Sequence, residues 1–112
     1  MPEVHIIAIF TPRLGKVERV KELLIAQCRE VHEKEDYALR FLVTEQIDVD
    51  VPELALFETY TSMDDTDRHL KEPHFLTMSK ILAEEDLLSK KTYVARTVTT
   101  AGFDLDREFR SQ

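Results

Sequence analysis

Cysteine, glycine, proline and positive charge are all scarce in this chain of 112 residues. Its one cysteine, Cys28, excludes an intrachain disulfide, and nothing points to secretion. Two glycines and four prolines leave no material for a flexible linker or a low-complexity segment. Lys and Arg number 15 against 22 Asp and Glu, a net charge of −7. Such a field repels nucleic acid and anionic membranes. The apolar run in MPEVHIIAIFTPR is too short to span a bilayer and lacks a basic leader, so a cytoplasmic protein is expected. What is present is 43% hydrophobic and 33% charged. That suits one globular domain, which at this size buries roughly two-thirds of its unfolded surface without a metal or disulfide. The domain is expected over residues 1–103, with 104–112 as a charged tail.

Hydrophobic periodicity divides the chain into six elements. Val4 to Thr11, closed by Pro12, reads as a strand. After Gly15, the positions Val17, Val20, Leu24, Cys28 and Val31 step by three and four, one stripe of a helix that stops near Asp36. Ala38 to Ile47 and Leu54 to Tyr60 read as strands joined by a loop through Asp48, Asp50 and Pro52. Ser62 is a good N-cap, with Asp64 and Asp65 in the first turn behind it. Pro73 then breaks the helix, and a fresh one runs from about His74 to Leu82. Leu87 and Leu88 read as a short helical connector, and Thr92 to about Thr100 as the last strand, ended by Gly102. The charged tail either frays or embraces a partner subunit.

The order strand, helix, strand, strand, helix, strand is the ferredoxin-like βαββαβ pattern, an α+β fold with a four-stranded antiparallel sheet and its helices on one face. Val4, Ile6, Ala8 and Phe10 alternate with His5, Ile7 and Ile9, so the first strand is largely apolar on both faces. Leu54 and Leu56 alternate with Ala55 and Phe57 in the third. Helices cover one face only. The other is an association surface, and the expected partner is a second copy related by two-fold symmetry.

The chemistry-bearing residues cluster in FETYTSMDDTDRHLKEPHF. Glu58 and Tyr60 share one side of a strand end, and His69, His74 and Phe75 follow toward the mouth between sheet and helices. A histidine there can remove a proton near neutral pH, and a tyrosine hydroxyl can steady the anion left behind. No cysteine cluster and no i, i+4 histidine pair is present, so no metal is expected, and no phosphate-cradling glycine loop or Ser-centred elbow occurs.

On these residues the sequence resembles the antibiotic biosynthesis monooxygenase (ABM) superfamily, of the dimeric α/β-barrel class. Glu35 ending the first helix, Phe41 on the second strand, the E-x-Y of Glu58 and Tyr60, and the H-x-x-x-P-H-F of His69 to Phe75 carry the resemblance, which covers roughly residues 4 to 100. Where that family often has Glu-Pro-Gly-Cys, this chain has Glu35, Asp36, Tyr37 and Ala38. The resemblance implies a cofactor-independent enzyme on a phenolic, quinol or polyketide-like aromatic substrate, most simply a monooxygenase consuming dioxygen. Haem degradation is not expected, since that branch places a tryptophan in the pocket and this chain has none. A non-oxidative cyclase, isomerase or decarboxylase, or a non-catalytic dimeric ligand-binding module, are the alternatives.

Within that reading His69 is the general base, with Tyr60 and Glu58 orienting it or the substrate. His74, Phe75, Met78, Phe41, Phe57, Arg96 and Tyr37 are the candidate substrate-binding residues. Each also has a plainer reading. His69 can be a structural histidine bonded to the Glu58 carboxylate, and Glu58 a paired carboxylate facing His69 or Arg96. His74 can cap its helix, Tyr60 can sit at a rim, and Arg96 can be held in an ion pair. His5 reads as a satisfied core histidine or else a pocket-lining base, the core reading being preferred, His32 as a surface residue, and Cys28 as a small core residue.

Overall fold

A computed structural model describes residues 2–111. Its elements are β1 (Val4–Phe10), α1 (Val17–Lys34), β2 (Ala38–Glu45), β3 (Leu54–Tyr60), α2 (Met63–Leu70), α3 (Pro73–Glu84), β4 (Tyr93–Thr97), β5 (Ala101–Gly102) and β6 (Arg110–Ser111). β1 to β4 form an antiparallel sheet in the order β2-β3-β1-β4, the α+β ferredoxin-like arrangement. Local chemistry sets the element ends. Gly15 adopts φ +80 in the turn before α1, a region open to glycine because it lacks Cβ. The Ser62 hydroxyl accepts the Asp65 N–H at the start of α2, the N-cap read from sequence. Glu72 is extended at φ −65, ψ 139 and Pro73 opens α3, because a residue before proline avoids the helical region.

The core lies between the sheet and its helices. Ile6, Ala8 and Phe10 of β1 and Leu54 and Leu56 of β3 pack with Val20, Leu23 and Leu24 of α1 and Met78 and Leu82 of α3. Each aliphatic side chain fully buried there contributes about 1.5–3 kcal/mol. The inner stripe of α1 is rotated slightly from the expected one. Leu23 and Gln27 are buried with Val20, Leu24 and Val31, whereas Val17 and Cys28 are only half-buried. The Cys28 thiol approaches the Phe41 carbonyl oxygen at 3.8 Å.

Three local expectations are corrected. Leu87 and Leu88 are not helical: Asp86 turns left-handed at φ 51, and the following segment runs back along the chain beyond β1. Arg13 N–H donates to the Leu87 carbonyl and Ser89 N–H to that of Thr11, both at 2.8 Å. β4 ends at Thr97, and Gly102 lies inside a two-stranded β5–β6 pair, so the tail folds back on residues 101–102. His5 is not in the core. It lies on the helix-free face, half-buried, its Nδ1 3.0 Å from Thr59 Oγ1 and its Nε2 2.8 Å from Thr99 Oγ1. His32 is exposed. On that helix-free face Leu42, Phe57 and Tyr93 are exposed, an apolar surface that no described element of the chain covers.

Candidate active site

Four elements bring an acid–base cluster to one end of the covered face. β3 delivers Glu58 and Tyr60, whose parity matches the buried Leu54 and Leu56. α2 delivers His69 in its last turn. Glu35 is the C-cap of α1, and His74 follows Pro73 in the first turn of α3.

Glu35 is the hub. One carboxylate oxygen lies 2.6 Å from His69 Nδ1 and the other 2.5 Å from His74 Nε2. Burial would push this carboxyl up, but the hydrogen bonds from His69 and His74 outweigh it and hold it below the usual carboxylate range. An ionised carboxylate only accepts, so both imidazole nitrogens facing it are donors. With Nδ1 protonated, neutral His69 carries its lone pair on Nε2. That nitrogen points toward Glu58 Oε1 at 3.8 Å, beyond hydrogen-bond length. Glu58 Oε1 instead accepts the Tyr60 hydroxyl at 2.7 Å.

Burial raises Glu58, partly opposed by the Tyr60 hydrogen bond. It also raises Tyr60, further lifted by the adjacent Glu58 charge. Tyr60 is therefore a neutral donor that fixes Glu58. The two carboxylates differ for a physical reason: Glu35 receives two imidazole N–H groups and Glu58 one phenol.

Beside the cluster lies a chamber of about 640 Å³, bordered by Glu58 and His69 and walled by Phe41, Leu56, Phe75 and Met78. The His69 ring stands 5.3 Å from the rings of Phe75 and Tyr60 and 6.1 Å from that of Phe41, spacings of offset or tilted aromatic packing. Arg96 borders the chamber from β4 and is held by Asp67 Oδ1 at 2.9 Å and Thr66 Oγ1 at 3.3 Å. Its ion pair is with Asp67, not Glu58.

Of the candidate residues, the fold brings His69, Glu58, Phe41, Phe75, Met78 and Arg96 to the chamber. Tyr60, with no exposed surface, stands behind Glu58. Three assignments are corrected. Phe57 lies on the opposite face of the sheet, 41% exposed, because adjacent strand residues point to opposite sides. Tyr37 is buried behind the cluster, its ring 6.2 Å from that of Tyr60 and its hydroxyl donating to Glu72 Oε1 at 3.1 Å. His74 borders a separate cleft between α1 and α3 and is joined to the site through Glu35. Glu35 itself was given no role from sequence. It lies four residues beyond Val31, so extending the α1 stripe by one step exposes a carboxylate in a buried position. It also sits at a helix C-terminus, where the macrodipole disfavours an acid.

Among the described residues no group of three His, Cys, Asp or Glu is placed to hold a metal ion, and no helix is long and apolar enough to cross a membrane. No family model matches the sequence, and no curated protein matches it. Solved structures do. The Mycobacterium tuberculosis protein Rv0793 is 30% identical, over 87% of this chain and 94% of its own, at a TM-score of 0.76. A Nitrosomonas europaea protein classed as an antibiotic biosynthesis monooxygenase is 22% identical over 87% and 89% of the two chains, TM-score 0.75. A dimeric Bacteroides fragilis protein of unknown function and ferredoxin-like fold is 17% identical over 87% and 96%, TM-score 0.72. Sheet, helices and buried cluster thus define a ferredoxin-like α+β protein with a chambered site. At 30% identity over 87% of its length the chain is a relative of Rv0793, and it shares this fold with proteins classed as antibiotic biosynthesis monooxygenases.

Proposed function

We propose that this chain is a cofactor-independent monooxygenase of a phenolic, quinol or polyketide-like aromatic substrate, working as a homodimer. The observation that carries this reading is the Glu35–His69 pair at 2.6 Å, which leaves the free Nε2 of His69 at the wall of an apolar chamber. A ring fits: pockets for small molecules run to roughly 300–1,000 Å³, and Tyr37 does not plug this one.

His69 Nε2 takes a proton from a phenolic hydroxyl or an activated ring carbon. Glu35 and the C-terminal end of α2 favour the imidazolium so formed. The anionic substrate gives one electron to dioxygen, and the resulting pair joins at a ring carbon as a peroxide. The imidazolium returns its proton as the O–O bond breaks. Where the ring carbon was a methylene, one oxygen atom stays as a carbonyl and the other leaves as water. Phe41, Phe75 and Met78 exclude solvent and orient the ring. A second copy covering Leu42, Phe57 and Tyr93 supplies the dimer, and the dimeric Bacteroides fragilis protein of the same fold supports it.

The test is dioxygen uptake with a panel of hydroquinones and anthrones. His69→Asn keeps a donor toward Glu35 but has no ring lone pair, and should lower kcat/KM about 10²–10⁴-fold. Uptake unchanged in that variant removes the base assignment. Product formed under strict anaerobiosis replaces the oxygenase reading with a non-oxidative one. Light scattering that finds a monomer at micromolar concentration removes the dimer.

A further inference from the structure

The α1 stripe that packs on the sheet is apolar except at one position inside it. Gln27 lies between Leu24 and Val31, is 3% exposed, and its amide nitrogen has no hydrogen-bond partner among the described residues. A leucine or methionine would fill the same space without burying an unpaired donor, and such donors in folded proteins call for a partner. Gln27 also borders the chamber that holds His69 and Glu58.

It touches the α1–α3 cleft as well, but there Lys34 lies 2.6 Å from Glu30 and Glu72 receives the Tyr37 hydroxyl. The charged groups of the cleft thus have partners of their own, and His74 is held by Glu35 at 2.5 Å. The chamber is different. Its other polar lining comes from Glu58 of β3, His69 of α2, Ser79 of α3, Arg96 of β4 and, between α3 and β4, Asp86 and Thr92, and α1 adds a single amide beside the apolar wall of Phe41, Phe75 and Met78.

We infer that Gln27 is a substrate-binding residue that donates a hydrogen bond to an oxygen of the ring substrate, so that the preferred ligands are aromatic ketones or phenolates bearing an acceptor oxygen on the edge facing α1. The inference rests on the chamber being the substrate site. It also adds to the chemistry. When His69 removes a proton from a carbon conjugated with a ring carbonyl, the negative charge passes to that oxygen. A donor already in place there stabilises the anion without reorganisation. An amide suits this role because it stays neutral and keeps its N–H groups at every working pH.

The experiment compares 1-tetralone with tetralin, which share a carbon skeleton and differ by one carbonyl oxygen. Binding to the full chain is measured by calorimetry in the absence of dioxygen. The wild type should prefer the ketone about tenfold, and Gln27→Leu should reduce that preference to about threefold or less while leaving tetralin binding as it was. Gln27→Met serves as a second variant should the leucine disturb folding, with thermal melts run on both. An unchanged preference in the variants overturns the inference, as does a wild type that binds neither probe or both alike. A protein that prefers the ketone through Gln27 yet consumes no dioxygen defeats the oxygenase reading and leaves this one standing. Dioxygen uptake with equal kcat/KM in wild type and Gln27→Leu does the reverse.

Discussion

The two faces of the sheet are made from alternate residues of the same strands and have opposite characters. On the covered face, Leu54, Leu56, Glu58 and Tyr60 are buried under the helices, and Glu58 and Tyr60 join His69 and Glu35 in one polar cluster. On the other face Phe57, its cross-strand partner Leu42, and Tyr93 beside Ile9 are exposed and covered by no described element. Composition does not separate the faces, since both are rich in apolar side chains. Burial of polar groups does: the covered face takes ionisable groups out of water and matches them with one another. On the function proposed above, the covered face holds the chemistry and the bare one supplies association.

Breaking the polar cluster gives the largest effect. In Glu35→Gln one amide oxygen can still accept from one imidazole, but the amide N–H groups face the other N–H donor. The variant should lose about 3 kcal/mol in urea unfolding, the scale for removing charged hydrogen bonds from a buried group. His69 also loses the acceptor that fixes its tautomer, so turnover should fall about 10²–10⁴-fold. Turnover within threefold of wild type would show that Glu35 is structural only.

Next in size is a paired test on β3. Leu56→Ala opens a cavity beneath the helices and should cost about 2–5 kcal/mol. Phe57→Ala, one residue away on the bare face, removes a larger side chain from a site that is already 41% exposed. Its cost should stay below about 1 kcal/mol in dilute monomer. At higher concentration it should appear as weaker self-association by sedimentation equilibrium. A loss for Phe57→Ala that matches Leu56→Ala at every concentration would contradict the distinction between the faces.

Element types and order were legible because they rest on local signals: alternation in β1 and β3, the Ser62 cap, and the break at Pro73. Recognition of His69, Glu58, Phe75 and Met78 as neighbours followed from that order. Phe57 was misplaced although parity with Glu58 settles its side, because its aromatic character outweighed its register. Tyr37 depends on a tertiary hydrogen bond to Glu72, 35 residues distant, and no local pattern reports one. The α1 stripe was misjudged by a small rotation, enough to favour Cys28 over Gln27. In the same way Leu88 pairs with Pro12 across the molecule, where sequence periodicity suggested a helical turn.

The smallest effect compares the two buried carboxylates through pH. Glu35 lies below its ordinary value of 4.5 in the folded protein because of its imidazole donors. Its contribution to stability is thus present above 4.5 and is lost as pH falls through the folded value. Glu58 lies above 4.5 because of burial. The folded state binds its proton more tightly than the unfolded chain does, so its contribution is complete below 4.5 and is lost as pH rises through the raised value. The slopes are opposite and occupy separate windows, neither steeper than about 1.4 kcal/mol per pH unit for one proton. Urea melts of wild type, Glu35→Gln and Glu58→Gln from pH 3 to 8 separate them. Subtracting wild type, Glu35→Gln should remove the acid-side loss and Glu58→Gln the decline above 4.5. Parallel pH curves for the two variants would mean that the carboxylates share one environment and that their different partners do not set their charge.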